Sequence, residues 1–151
     1  VVAAAETGHL VLGTLHTINA VQTVDRVIDM YPPNQQHQIR MQLSQALEAV
    51  ISQTLIKRAN GSGRVGCFEI LLTNTAVRNL VREGKTFELH SIMQLNRQVG
   101  MQTLDQNLAE LTANGVITKE EALMKSDNPD RLERLIEDTK RNVKGPDPFK
   151  R

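Results

Sequence analysis

The stretch TGHLVLGTLHT, residues 7–17, decides how the rest of the chain is read. From His9 onward it is an apolar run of strand length with no polar alternation. Such a run predicts a strand covered on both faces, the arrangement of a parallel α/β sheet. It also carries two histidines, His9 and His16, set among threonines and glycines. Positions 9 and 16 differ by an odd number, so on one continuous strand the two rings point to opposite faces. At the usual strand rise they stand about 23 Å apart, too far to share a metal ion. Ligands gather at the carboxyl ends of parallel strands, which favours His16, with Thr14 and Thr17, over His9. The plainer alternative is that both are core or capping histidines.

Working outward, the opening VVAAAETGH reads as the last turns of a helix stopped by Gly8. A chain that opens inside an element, without an initiator methionine, is expected to be a fragment. Downstream, NAVQTVDRVIDMYPP predicts a helix capped by Asn19 and stopped by Pro32 and Pro33, with Ala20, Val21, Val24, Val27 and Ile28 on one face. A second helix starts near Asn34, with Ile39, Leu43, Ala46, Leu47 and Val50 inward. The stretch VISQTLIKRANGSGRVGCFEILLT predicts a β-hairpin around Asn60-Gly61-Ser62-Gly63. Between Ala49 and Ser52 the apolar pattern fits helix and strand equally. After Thr75 the chain reads as wholly helical, with glycine stops at Gly84 and Gly115, a cap at Thr103, and a capping box from Thr118 to Glu121.

The expected architecture is therefore α/β: the last part of a sheet with flanking helices, then a C-terminal helical cluster. The expected divisions are residues 1–74, residues 75–138 and a flexible basic tail, 139–151, rich in lysine and arginine. A length of 151 residues allows a sizeable core, and 40% hydrophobic with 23% charged residues is the profile of a soluble globular protein. The net charge of +1 gives no global pull toward nucleic acid or membrane. Three Phe and one Tyr are too few for base-stacking platforms, and no apolar run approaches the ~20 residues of a membrane span. Cys67 stands alone, which excludes an internal disulfide or a four-cysteine zinc site and gives the chain a cytosolic character.

Two further stretches invite a functional reading. In AVRNLVRE, residues 76–83, Ala76, Val77, Leu80 and Val81 form an apolar stripe. Arg78 and Arg82, four apart, share the other face, with Asn79 and Glu83 beside it. This is either an ordinary solvated face or a docking face for another subunit or domain. The loop RANGSGRVG is glycine-rich, but the phosphate-loop pattern Gly-x4-Gly-Lys-Ser/Thr occurs nowhere, and no helix follows the glycines to hold a phosphate. His37 and His90 lie in helical patterns without ligand-spaced partners, and Asp105 has no plausible catalytic partner. No triad, carboxylate pair or metal site is expected.

These residues resemble a known family. AAAETGHLVLGTLHTINAVQTVDRVIDMYP looks like the His-box region of the secretion and type IV pilus ATPases, and QIRMQLSQALEAVISQTLIKR with GRVGCFEILLTNTAVRNLVREGK continues the match. AVRNLVRE resembles the AIRNLIRE motif of the pilus-retraction (PilT-like) branch, and GMQTLDQNLAELTANGVITKEEAL its C-terminal helices. The resemblance implies part of a RecA-like P-loop NTPase core from a homo-hexameric motor. That motor hydrolyses ATP with Mg2+ and drives pilus retraction and twitching motility. It would work in the cytoplasm, peripheral to the bacterial inner membrane, with the pilus machinery as partner and no membrane insertion. The Walker A loop and Walker B glutamate of such a motor would precede Val1, so this chain alone is expected to be inactive.

By the same resemblance, the His-box residues Thr7, Gly8, His9, Thr14, His16 and Thr17 act as a unit that reports nucleotide state; it is strand geometry, not the resemblance, that makes His16 the catalytic candidate and gives His9 a structural or interdomain role. Ala76, Val77, Arg78, Asn79, Leu80, Val81, Arg82 and Glu83 couple that state to the pilus machinery. The competing expectations are a pilus assembly or type II secretion ATPase, and a non-catalytic interaction domain. Assembly and secretion relatives typically carry a tetracysteine zinc element, which this chain lacks.

Overall fold

The structure, a computed structural model, describes residues 2–143, the last of them by its backbone. The chain forms two compact units, Val1–Ser52 with Glu69–Gln102, and Gln53–Phe68 with Thr103–Arg151. A two-stranded antiparallel hairpin, β1 (Ala49–Lys57) and β2 (Arg64–Leu72), contributes to both. The segment from Ala49 to Ser52, ambiguous by pattern, is strand.

In the first unit α1 (Val2–Glu6) closes on Gly8, whose φ of 87° only glycine adopts readily. The Gly8 amide donates to the Ala5 carbonyl at 3.1 Å and the His9 amide to the Ala4 carbonyl at 3.2 Å. This pair of bonds satisfies helix-end carbonyls that would otherwise lack donors. α2 (Ala20–Asp29) starts where Asn19 predicts, its side chain accepting from the Gln22 amide at 2.8 Å. α3 (Pro33–Ala46) opens on a proline, tolerated there because the first helical amide has no intrahelical partner. α4 (Thr75–Glu83) is capped by Asn74 and stopped by Gly84, and α5 (Leu89–Leu95) follows a short 3-10 turn. The core gathers Val24 and Ile28 of α2, Leu43 of α3, Leu71 of β2, Val81 of α4 and Met93 of α5.

In the second unit α6 (Leu104–Ala113), α7 (Lys119–Leu123) and α8 (Pro129–Val143) pack with the outer half of the hairpin. Leu108, Leu132 and Ile136 meet Ile56 and Cys67 in its core. Thr103 builds a full capping box with Gln106. The Thr118 hydroxyl accepts from the Glu121 amide.

Three expectations need correction. Residues 9–17 form neither strand nor helix, because a strand exists only through its ladder and no strand of the described residues lies alongside. The segment runs exposed instead, with Leu10 at 87% and Leu12 at 88% accessibility. The stretch after Thr75 is not purely helical. Gly100, with φ 97°, turns the chain so that Gln102 bridges Ile70 in a short antiparallel contact. And α8 continues past Thr139, whose hydroxyl donates to the Leu135 carbonyl, while Lys140 pairs with Glu137. Helix thus covers 139–143, and the remainder of the expected tail, 144–151, lies outside the described residues.

Candidate functional site

Thr7, Gly8 and His9 belong to the end of α1. The Thr7 hydroxyl donates to the Ala4 carbonyl at 2.8 Å. The His9 Nδ1 lies 3.0 Å from that hydroxyl and 3.2 Å from the same carbonyl. With its hydrogen on Nδ1 the ring donates into the negative end of the helix. Thr14 and His16 lie on the extended segment, both exposed. From Leu10 to His16 the chain makes no hydrogen bond to another described residue. At Thr17 the order returns. Its hydroxyl meets that of Thr23 at 2.6 Å, and Thr23 in turn donates to the Asn19 carbonyl at 2.8 Å. The structure thus separates the two histidines by role: one in a helix cap, one beside a tethered helix start.

The residue that pattern reading passed over is Glu69. It lies on β2 with only 5% of its surface exposed, on the face shared by Cys67 and Leu71, and its Oε1 accepts from the Ala20 amide at 2.8 Å. Ala20 is the first residue of α2, so a carboxylate sits at the positive end of that helix. The signal was present in the strand alternation: a charge on the buried face of an apolar strand demands a partner.

In α4, Val77 and Val81 are fully buried and Leu80 half-buried, while Ala76 is exposed and drops out of the apolar stripe. The two arginines, four apart on one helix, take different partners. Arg78 reaches the end of α3, donating to the Ser44 carbonyl at 2.9 Å and to the Gln45 carbonyl, with Glu48 at 3.5 Å. Arg82 is exposed and bonds the Asn79 side chain one turn back. Glu83 pairs with Lys85 at 2.8 Å, a contact that lowers the carboxyl and raises the amine from their ordinary values.

The described residues do not fit a nucleotide. The glycine loop 60–63 is a hairpin turn whose next element is a strand, not a helix with free amides. The α2 start, the helix end nearest the histidine segment, is occupied by Asn19 and Glu69. Among the described residues no group of three or more His, Cys, Asp or Glu could hold a metal ion. Cys67 is buried, which pushes its thiol up to about 12, the opposite of an activated nucleophile.

Comparison with known proteins settles the kinship. Residues 1–124 match the family described as "Type II/IV secretion system protein". The chain belongs to that family. Among its relatives in the secretion family, the twitching motility protein of Neisseria gonorrhoeae is 48% identical over 129 residues, 85% of this chain and 34% of that protein. The type IV pilus retraction ATPase PilT of Pseudomonas aeruginosa is also 48% identical over 129 residues, covering 85% of this chain and 37% of the relative. The solved structure of the pilus retraction motor PilT with bound ADP superposes with a TM-score of 0.78 at 47% identity, over 88% of this chain and 37% of that one. The chain thus spans about a third of the length of the relatives it matches. Its fold is the α/β fold expected, part of a RecA-like ATPase core with the helices that follow it. Among the described residues no helix is long and apolar enough to cross a membrane.

Proposed function

We propose that the chain is the C-terminal portion of a hexameric ATPase motor that powers type IV pilus retraction at the cytoplasmic face of a bacterial inner membrane. The observation that carries this reading is the near-half identity with retraction proteins, sustained over most of the chain. Phosphoryl transfer needs a phosphate cradle and magnesium ligands. In this reading both come from the part of the motor outside this chain, and ATP with Mg2+ is the cofactor of the whole. His16, exposed on a segment anchored only at its ends, reports nucleotide state to α2. α4 passes that state on through its exposed residues Arg82 and Glu83, while Arg78 holds α4 to α3.

The test is a chimera of the P. aeruginosa retraction ATPase carrying this chain in place of its own matching third. ATPase activity and twitching zones are expected to return, while the chain by itself hydrolyses no ATP. A folded, hexameric chimera with neither activity overturns the reading. His16→Ala in an active chimera should lower ATPase activity, and unchanged turnover removes the sensing role.

A further inference from the structure

We propose that Glu69 is a positioning residue that fixes the start of α2, and with it the direction in which the His16 segment leaves the body of the unit. This deepens the nucleotide-sensing role given to His16 and rests on that reading. Asn19 already supplies the local cap of α2, so the helix does not need a second acceptor to form. Glu69 comes from 49 residues away and ties that helix end to β2. An apolar residue would suit position 69, between Cys67 and Leu71 on the buried face. A buried carboxylate there costs stability unless its bonds offset the loss of water, and such groups fix register more than they strengthen a core.

Five hydrogen bonds converge on residues 17–23. Glu69 takes the Ala20 amide, Asn19 takes the Gln22 amide, the Thr23 amide and hydroxyl both reach the Asn19 carbonyl, and Thr17 meets Thr23. Of these five, only the Glu69 bond reaches another element. Val24 and Ile28 hold the body of α2 in the first core, so losing the Glu69 bond frees the helix start to shift, and His16, next along the chain, shifts with it.

The test has two arms. In this chain, backbone amide exchange is followed by NMR for the parent sequence, Glu69→Ala and Glu69→Gln. In Glu69→Ala, exchange at Ala20 should quicken about ten- to a hundredfold, the loss of a bond to a charged acceptor, with Leu43 and Val81 unchanged. Glu69→Gln keeps an acceptor oxygen and the shape of the side chain, so it should recover most of the protection even if the alanine variant folds poorly. Unchanged exchange at Ala20, or equal loss at Ala20 and Val81 in both variants, overturns the proposal. In the chimera, Glu69→Ala and His16→Ala are combined. The double variant should be no slower than His16→Ala alone, because the first change acts through the second residue. Multiplying losses overturn the positioning role. A chimera without any ATPase defeats the retraction reading, and the exchange arm still decides the tether.

Discussion

Replacing Arg78 with alanine should destabilise the first unit by about 2 kcal/mol, while Arg82→Ala leaves it within about 0.5 kcal/mol. The figure comes from what each guanidinium touches. Arg78 Nη1 serves two carbonyls in the last turn of α3, those of Ser44 and Gln45. Ser44 is buried, so its carbonyl regains little water when the donor goes, a penalty of about 1–3 kcal/mol. Gln45 is exposed, and its carbonyl turns to solvent at small cost. The ion pair with Glu48 spans 3.5 Å and Glu48 is 78% exposed, so it adds at most a few tenths of a kcal/mol. The assay is thermal unfolding followed by the fluorescence of Tyr31, the one tyrosine in a chain without tryptophan, packed against the first core. A loss of 2 kcal/mol corresponds to a fall of about 4–8 °C in Tm for a chain of this size. Arg78→Lys, one point charge in place of a fork, should recover part of it. Equal melting of the Arg78→Ala and Arg82→Ala proteins would refute the reasoning, since the two arginines would then be the equivalent surface pair that their spacing suggests.

Two other outcomes are expected. Cys67 holds its proton to about pH 12 when folded, against 9.0 ordinarily, because burial disfavours the thiolate. The unfolded chain therefore loses that proton first, and stability falls as pH climbs from 9 toward 12, by up to about 1.4 kcal/mol per pH unit from this group alone. Urea unfolding at pH 8 and pH 10 should show a steeper loss for the parent than for Cys67→Ala, and parallel losses would contradict the assignment. Thr73 has a buried hydroxyl with no hydrogen-bond partner among the described residues. Thr73→Val should raise stability by about 1 kcal/mol in the Tyr31 assay, and a decrease would mean that the hydroxyl is bonded.

The sequence was most legible where structure is decided by neighbours along the chain. Asn19, Thr103 and Thr118 cap helices and Gly8 and Gly84 end them, because a cap needs only the next three amides or the previous four carbonyls. The Asn60–Gly63 turn likewise placed the hairpin. Legibility failed where the deciding partner is distant. Residues 9–17 have strand composition, but a strand depends on a neighbour that composition does not name. The spacing of Arg78 and Arg82 describes one helix, not the α3 carbonyls waiting opposite one of them. Glu69 was hidden inside a stretch read for its turn and its apolar run, though its place on the buried face of the alternation was there to be seen. The basic residues after Thr139 suggested a solvated tail, yet Leu132 and Ile136 anchor α8 firmly enough for the helix to run on to Val143.

The bare segment between the α1 cap and Thr17 has a consequence for the chain in solution. Leu10 and Leu12 face water on backbone whose amides and carbonyls find no partner among the described residues, so the segment resembles the open edge of a sheet. Such an edge pairs with whatever extended backbone it meets, including its own copy. The apparent molar mass of the isolated chain from light scattering should therefore rise with concentration, and its melting temperature should shift with protein concentration by mass action. Adding charge at Leu10 or Leu12 would suppress both effects, turning a sticky edge into a soluble one.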